Sequence, residues 1–244
     1  MKSFIGYTLV ATMAVSPALA AGTFETDHLP TSAGDLKITF IGHASLMFEF
    51  GGKVIYNDPV GQYGDLSGLP KADLILAAHE HGDHFDPATI RQISKEGTKL
   101  VLTPLCAEKV KGGIVLKNGE ETTVDGILIK AVPAYNIVHM RSPGMPFHPK
   151  GDGNGYVLTF GDKRVYIAGD TENIPEMKEL GRIDVAFLPM NLPYTMTPAM
   201  VADAARMVKP AILYPYHTTD TDTAKLQPLL KDEKGIEIRI RRMK

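Results

Sequence analysis

The ten residues AAHEHGDHFD, at positions 77–86, constrain the fold of this chain more than any other stretch. They begin inside ADLILAAH (72–79), a continuous apolar run of strand length, and such a run favours a strand buried on both faces. Asp86 and Pro87 follow as residue types typical of a helix N-cap and first helical position. A strand, a polar loop and a helix in this order predict an α/β fold with a site at the carboxyl end of the strand.

Short apolar runs separated by turn residues predict further strands on both sides of this motif. The other predicted strands cover 36–43, 45–50, 53–59, 98–104, 122–134, 155–170 (a hairpin turning at Gly161-Asp162), 185–190, 211–217 and 235–243. The predicted helices cover 88–95, 107–111, 174–181, 198–210 and 223–232. Two halves, each with hairpins that lead into strand–helix units, predict two sheets packed face to face with helices outside. No linker divides residues 21–244 into separate domains.

The first twenty residues have the pattern of a secretory signal peptide. Lys2 provides a short basic region, an apolar run follows from about Phe4 to Val15, and Ala18-Leu19-Ala20 offers an A-x-A cleavage site. We therefore expect an exported protein, periplasmic if the host is a Gram-negative bacterium, with no stable membrane anchor after cleavage. Cys106 is the one cysteine of the chain, so it forms no internal disulfide, and we expect it to pack in the core.

Composition and charge narrow the class of partner. The chain is 44% hydrophobic and 22% charged, with a net charge of −2, which is ordinary for a globular protein. Lys and Arg are concentrated only in the last residues, 239–244, whereas nucleic-acid binding normally needs a basic face. We expect a small-molecule substrate and no nucleic-acid partner. The sequence leaves the oligomeric state open.

The opening motif offers four candidate metal ligands: His79, His81, Asp83 and His84. Strand alternation lets His79 and His81 point the same way, and Gly82 permits a tight reversal toward Asp83 and His84. A buried cluster of histidines repels itself on protonation and is costly to desolvate unless a cation binds it. Imidazole and carboxylate ligands suit zinc or another first-row divalent ion. Because four candidates exceed what one tetrahedral ion easily takes from a single loop, they can serve two adjacent metals.

The motif HEHGDH (79–84) resembles the HxHxDH signature of the metallo-β-lactamase-fold hydrolases. AGDT, with Asp170, and YPYH, with His217, follow in the order that the family shows. The resemblance covers nearly all of the chain after residue 20, and it implies an αββα sandwich of two mixed sheets with outer helices and a binuclear site between the sheets. Independently, Asp170 and His217 each end a predicted strand, so both can reach the same edge as His79.

The resemblance also implies a ligand set for the two metals. The implied ligands are His79, His81 and a third histidine for the first metal, Asp83, His84 and His217 for the second, and Asp170 for both. The family often places the third histidine in a Pro-Ala-x-His context, where this chain has Asn136 in VPAYN. We favour His148, because HPKG resembles an uncharacterised branch of the superfamily, with His139 as the alternative. If neither histidine binds, Asn136 is the third candidate, and the first metal site is then weaker or completed by water.

A further resemblance concerns GHASLMFEF, which contains His43. It is similar to the branch that includes ascorbate-6-phosphate lactonase and N-acyl-phosphatidylethanolamine phospholipase D, in which the equivalent histidine lies near the site. His43 then either supports the ligands, faces the substrate or packs in the core. We expect Asp58, in YNDP, to support the loops of the site, and Tyr194 either to contact substrate or to pack within its loop.

The implied site predicts hydrolysis. Two divalent ions lower the pKa of a shared water from about 15.7 toward 7 and polarise the bond that is attacked. Asp83 is the candidate catalytic residue, because a carboxylate beside that water can orient it and then carry a proton to the leaving group. The predicted enzyme cleaves an ester, lactone, amide or phosphodiester with two divalent ions, Zn²⁺ first and Mn²⁺ or iron as alternatives. A redox enzyme on the same fold and a non-catalytic metal-binding protein are the competing hypotheses.

Overall fold

The computed structural model describes residues 24–243, and in this part of the chain seven strands form a first sheet in sequence order. They are β1 (Glu25–Thr31), β2 (Gly34–Gly42), β3 (Ser45–Phe50), β4 (Lys53–Asn57), β5 (Ala72–Leu76), β6 (Ser94–Leu102) and β7 (Ile114–Val115). Strands β1 to β4 are antiparallel and β4 to β7 are parallel. The sheet is therefore mixed, as the family resemblance implies.

The second sheet repeats this design in the other half of the chain. Its strands are β8 (Glu121–Val124), β9 (Ile127–Ala134), β12 (Gly153–Phe160), β13 (Lys163–Ile167), β14 (Val185–Pro189), β15 (Ile212–Tyr216) and β16 (Glu237–Ile238), and between β9 and β12 lies a small separate hairpin of β10 (Met140–Ser142) and β11 (Met145–Pro146). Strands β8, β9, β12 and β13 pair antiparallel, and β13 to β16 pair parallel. The α-helices are α1 (Pro87–Ile93), α2 (Pro104–Lys109), α3 (Pro198–Val208) and α4 (Leu226–Leu229).

The core lies between the two sheets. Phe40 and Phe48 of the first sheet contact Tyr214 and Phe160 of the second, with ring centroids 5.0 and 5.8 Å apart. Separate apolar clusters cover the outer faces, one involving α1 and α2 and the other involving α3. Burial on both faces of each sheet gives the layer order helix, sheet, sheet, helix, and the predicted αββα sandwich is confirmed.

Several predicted elements are wrong in extent. The predicted strand 122–134 is a hairpin, because Asp125 and Gly126 adopt positive φ and reverse the chain between β8 and β9. The predicted helix 174–181 is only a 3₁₀ turn over Pro175–Glu179, and the predicted helix 223–232 divides into a 3₁₀ turn (Thr223–Lys225) and the four-residue α4. Pro228, inside the second segment, has no N–H to donate to the Ala224 carbonyl, so a continuous helix over 223–232 would lack that hydrogen bond.

The two ends of the described chain meet in a way that local pattern does not predict. The sequence does not predict strand β1, because only Leu29 in it is buried and the strand therefore lacks an apolar alternation. The predicted strand 235–243 pairs over just Glu237–Ile238, since the chain then crosses to β1. There Arg241 Nη2 lies 2.7 Å from the Asp27 carboxylate, and its guanidinium stacks over the Phe40 ring. The basic tail therefore joins the two sheets.

The carboxyl ends of the parallel strands converge at one edge of the sandwich. Asp58 follows β4, His79 follows β5, Asp170 follows β13 and His217 follows β15. The sheets are tied together here by a hydrogen bond of 2.8 Å from the Asn154 backbone N–H to the carbonyl oxygen of Ala78. This edge brings together residues that lie far apart in the sequence.

The predicted signal peptide, residues 1–20, lies outside the described residues. Among the helices of residues 24–243, none has the length and apolar character needed to cross a bilayer.

Candidate metal centre

Three histidines form a first group of candidate ligands. Ring nitrogens of His79, His81 and His148 all lie within 4.8 Å of one another, and His79 Nε2 is 3.1 Å from His81 Nδ1. His79 and His148 are buried, while His81 is partly exposed at the mouth of the site. The structure therefore brings His148, the favoured candidate for the third histidine, to the other two.

A second group lies beside the first. Ligand atoms of Asp83, His84 and His217, together with His43, also fall within 4.8 Å of one another. His217 Nε2 is 3.6 Å and His84 Nε2 is 3.9 Å from Asp83 Oδ2. The predicted second set of ligands is thus assembled in space, with His43 as an additional member.

Asp170 stands between the two groups. Its Oδ1 is 3.2 Å from His84 Nε2 and 3.5 Å from His217 Nε2, while its Oδ2 is 3.3 Å from His148 Nε2. Each oxygen of one buried carboxylate therefore faces a different group. This is the arrangement expected of a residue that bridges two cations.

Hydrogen bonds hold His84 in one orientation. Asp58 is fully buried, and its Oδ2 accepts from His84 Nδ1 at 2.8 Å while its Oδ1 accepts from the Ala78 N–H at 2.7 Å. The Nδ1 proton leaves His84 Nε2 free to face Asp170. Asp58 also adopts a positive φ, which is uncommon outside glycine and concentrates at functional sites. The sequence prediction that Asp58 supports the loops of the site agrees with these contacts.

The hydrogen bonds of the 136–148 segment distinguish the three candidates for the remaining ligand. His139 turns away, with its Nδ1 2.6 Å from Glu172 Oε1. Asn136 Oδ1 accepts hydrogen bonds of 2.8 Å from both the backbone N–H and Nδ1 of His148. Because Asn136 Nδ2 donates to Glu172 Oε1 and to the Tyr194 carbonyl, its Oδ1 must face His148. Asn136 therefore places the proton of His148 on Nδ1 and leaves Nε2 free toward Asp170.

Glu172 is a residue of the site region that sequence reasoning missed. Its fully buried carboxylate accepts hydrogen bonds from three consecutive backbone N–H groups, those of Ile137, Val138 and His139, at 2.6–2.7 Å. It also holds Asn136, as described above. The only available signal was its position two residues after Asp170 in AGDTE, next to the recognised motif.

His43 and Tyr194 flank the site in different ways. His43 is buried, its Nε2 lies 3.2 Å from Asp83 Oδ2, and its ring contacts the His217 ring and stacks on Tyr63. The structure thus places His43 beside the candidate ligands. Tyr194 is 47% exposed, and its ring meets Phe147 edge-on with centroids 5.1 Å apart.

The electrostatics of the cluster favour cations. Burial lowers the pKa of His148 to about 4, and burial together with the neighbouring His84 charge lowers the pKa of His79 well below its usual range. Burial opposes the charge on Asp170, but the surrounding histidines still hold the pKa of that carboxyl far below normal. Burial likewise opposes charge on His84, yet the nearby Asp170 and Asp58 carboxylates raise its pKa well above the ordinary value. His79 and His148 are therefore neutral beside an ionised Asp170, the form in which these groups bind metals, whereas His84 carries a positive charge that a bound cation would replace.

Unpaired buried atoms support the same conclusion. Among the described residues, His84 Nε2, His217 Nε2 and Asp170 Oδ1 are buried and lack a hydrogen-bond partner of good geometry. Such atoms are expensive to bury without a partner, and both Nε2 atoms lie close to Asp170 Oδ1, at 3.2 and 3.5 Å. The donor set of imidazoles and carboxylates fits a pair of first-row divalent ions.

Comparisons with known proteins identify similar sequences and structures. A sequence family described as the beta-lactamase superfamily domain matches residues 37–217. A metal-dependent hydrolase from Pelotomaculum thermopropionicum is 30% identical over 227 residues, which cover 84% of this chain and 96% of the relative. The crystal structure of a candidate metal-dependent hydrolase from Parabacteroides distasonis is 49% identical, with a TM-score of 0.87, and covers 91% of this chain and 100% of its own.

A more distant structure shares the fold alone. CmlA, a diiron β-hydroxylase from Streptomyces venezuelae, is 16% identical with a TM-score of 0.62, over 88% of this chain and 54% of that one.

Proposed function

This chain belongs to the metallo-β-lactamase superfamily and is a metal-dependent hydrolase, and we propose that its buried centre cleaves an ester, lactone, amide or phosphodiester bond of a small-molecule substrate. The observation that carries the proposal is the position of Asp170, whose two oxygens face two separate groups of ligand atoms. One bridging carboxylate between two such groups is typical of a site for paired cations.

We assign the ligands by group. His79, His81 and His148 would hold one cation, Asp83, His84 and His217 the other, and Asp170 both. When bound, two divalent cations supply an acidified water as nucleophile and polarise the bond under attack.

The protein's own groups provide orientation and proton transfer. Asn136 and Asp58 fix the tautomers of His148 and His84, so their Nε2 atoms face the centre in the required form. Asp83 is 38% exposed, so it can contact both the centre and a substrate that enters from solvent. Its Oδ2 can orient the nucleophile and pass a proton to the leaving group, with His43 Nε2 at 3.2 Å to share that proton.

The test combines metal content with turnover. Purified protein is measured by elemental analysis, stripped with chelator, and assayed on 4-nitrophenyl esters, lactones and bis(4-nitrophenyl) phosphate before and after addition of Zn²⁺, Mn²⁺ or Fe²⁺. We expect about two metals per chain, loss of turnover on stripping, and recovery with one of these ions. Unchanged turnover after complete stripping contradicts the proposal. So does a protein that holds two irons and consumes dioxygen but hydrolyses nothing.

Asp170→Asn tests the bridging role specifically. We expect at most one metal per chain and a turnover loss of at least about 100-fold, the upper range for disturbing a group that only supports a ligand. Asp203→Asn, on the exposed surface of α3, is the matched control and should leave both measurements unchanged. Full metal content and full turnover in Asp170→Asn would remove the bridging assignment.

Export is a separate part of the proposal, supported by the pattern of residues 1–20. When the full chain is expressed in a Gram-negative host, the periplasmic fraction should contain a protein that begins at Ala21. N-terminal sequencing measures this. Ala18→Leu should block cleavage. If the unchanged chain stays uncleaved and remains in the cytoplasm, export is contradicted.

A further inference from the structure

Exposed apolar side chains concentrate beside the candidate metal centre. Eleven large hydrophobic side chains are exposed within residues 24–243, and six of them lie in two short segments: Ile137, Val138, Met140, Met145, Leu192 and Tyr194. These six include the most exposed of the eleven, Val138 at 66% and Met145 at 59%. We call residues 137–147 and 192–194 the apolar rim. A contiguous apolar surface in water usually marks a place where something binds.

The rim is continuous with the metal centre through Phe147. This side chain lines the cavity that also contains His79, His81 and Asp170, and it immediately precedes His148. On its other side its ring contacts Tyr194, whose carbonyl accepts a 2.9 Å hydrogen bond from Asn136. A molecule with its reacting bond at Asp170 would therefore extend past Phe147 onto the rim.

The base of the rim is fixed while its outer part is exposed. The backbone N–H of Asn136 donates to the His148 carbonyl at 2.9 Å, which closes residues 137–147 into a loop. Glu172 then holds three backbone N–H groups at the start of this loop. A surface held in this way needs little ordering when a ligand binds, so apolar contact translates efficiently into affinity.

The charges around the rim favour a small apolar group over a membrane surface. Residues 137–147 and 191–195 contain no Asp or Glu, and Arg141 is their one Lys or Arg. The nearby Lys150 is already paired, with its Nζ 2.6 Å from Glu176 Oε1. Binding to an anionic bilayer normally requires several free basic residues around the apolar surface.

We propose that the apolar rim binds an acyl, alkyl or aryl group next to the bond that the centre hydrolyses. This inference rests on the proposed function for the location of that bond. Burial of one methylene contributes about 0.8 kcal/mol in full contact, which corresponds to about 4-fold in binding, and about 2-fold when half of it is covered. The enzyme therefore selects substrates by the size of their apolar portion.

The experiment varies the apolar chain in two series of probes. The first is kcat/KM for 4-nitrophenyl esters from acetate to octanoate, and the second is calorimetric binding of n-alkylphosphonates from methyl to octyl, which needs no turnover. In the unchanged protein both quantities should rise about 2- to 4-fold per added methylene over the first few carbons. In the double variant Val138→Ser/Met145→Ser the increase should fall toward none, with the values for acetate and methylphosphonate unchanged.

Leu128→Ser is the matched control, since Leu128 is 38% exposed and lies at the far end of β9 from the cavity residue Ala134, about 20 Å away. It should keep the full dependence on chain length. The proposal is overturned if the double variant depends on chain length as strongly as Leu128→Ser does. It is also overturned if none of the three proteins depends on chain length. If the double variant instead changes only the oligomeric mass or binding to phosphatidylcholine vesicles, the rim is an interface and the proposal is again wrong. A chain-length effect on phosphonate binding without ester hydrolysis would support the rim while contradicting hydrolysis of these esters.

Discussion

Replacing Glu172 by glutamine tests how the 136–139 segment is held beside the metal centre. The two carboxylate oxygens share five hydrogen bonds: Oε1 accepts from Asn136 Nδ2, His139 N and His139 Nδ1, and Oε2 accepts from Ile137 N and Val138 N. Glutamine keeps the shape but exchanges one oxygen for an NH₂ group. In either orientation that NH₂ group faces at least two N–H donors.

The expected cost follows from that count. A buried donor without an acceptor costs about 1–3 kcal/mol, so two of them give a loss of about 2–6 kcal/mol in the free energy of unfolding. The free energy of unfolding of an ordinary domain is about 5–15 kcal/mol in total, so the effect should be large. Glu172 is fully buried, which leaves little opportunity for water to replace the lost acceptor.

Urea unfolding at pH 7 in excess chelator measures this loss without a contribution from bound metal. The midpoint should fall with little change in the m-value. Glu176→Gln is the control, because Glu176 is 25% exposed and pairs with the exposed Lys150. Its loss should stay below about 1 kcal/mol. A loss below about 1 kcal/mol for Glu172→Gln as well would refute the claim that this carboxylate holds the segment.

Three further predictions concern the rest of the fold. Asp27→Asn should lower the free energy of unfolding by about 1–3 kcal/mol at pH 7. Burial raises the pKa of Asp27, but hydrogen bonds from Arg241 and Tyr214 outweigh it and lower that pKa below 3.8. The stabilisation is therefore present above pH 3.8 and is lost as the pH falls through the lowered pKa. Unfolding curves that differ equally at pH 7 and pH 3 would contradict this sign. Phe187→Ala should lower the free energy of unfolding, measured in urea, by about 3–5 kcal/mol, because the ring is fully buried between the sheets. A loss under about 1 kcal/mol would instead show that the core closes around the gap. Burial raises the pKa of the Cys106 thiol to about 11, so an aromatic disulfide reagent should modify it only after unfolding, and rapid modification of the native protein would show that the thiol is accessible.

The sequence was sufficient for the features that depend on neighbouring residues. Hydrophobic runs and turn residues predict the hairpin at Gly161-Asp162 and the buried strand before His79, and both are present. The motif over 79–84 places four candidate ligands in one loop, because strand alternation and a glycine fix their directions locally. The resemblance to the metallo-β-lactamase fold then supplied the sandwich, since its motifs occur in the same order.

Only the tertiary structure decided how distant segments meet. In the sequence, Asn136, His139 and His148 were all open as the remaining ligand, and their separate roles depend on Glu172, which no periodicity connects to them. Likewise, β1 has too few buried side chains to be visible as a strand, and its pairing and its link to Arg241 exist only once the sheets are packed. A local pattern records which face of a strand is apolar, whereas these contacts depend on where separate strands end in space.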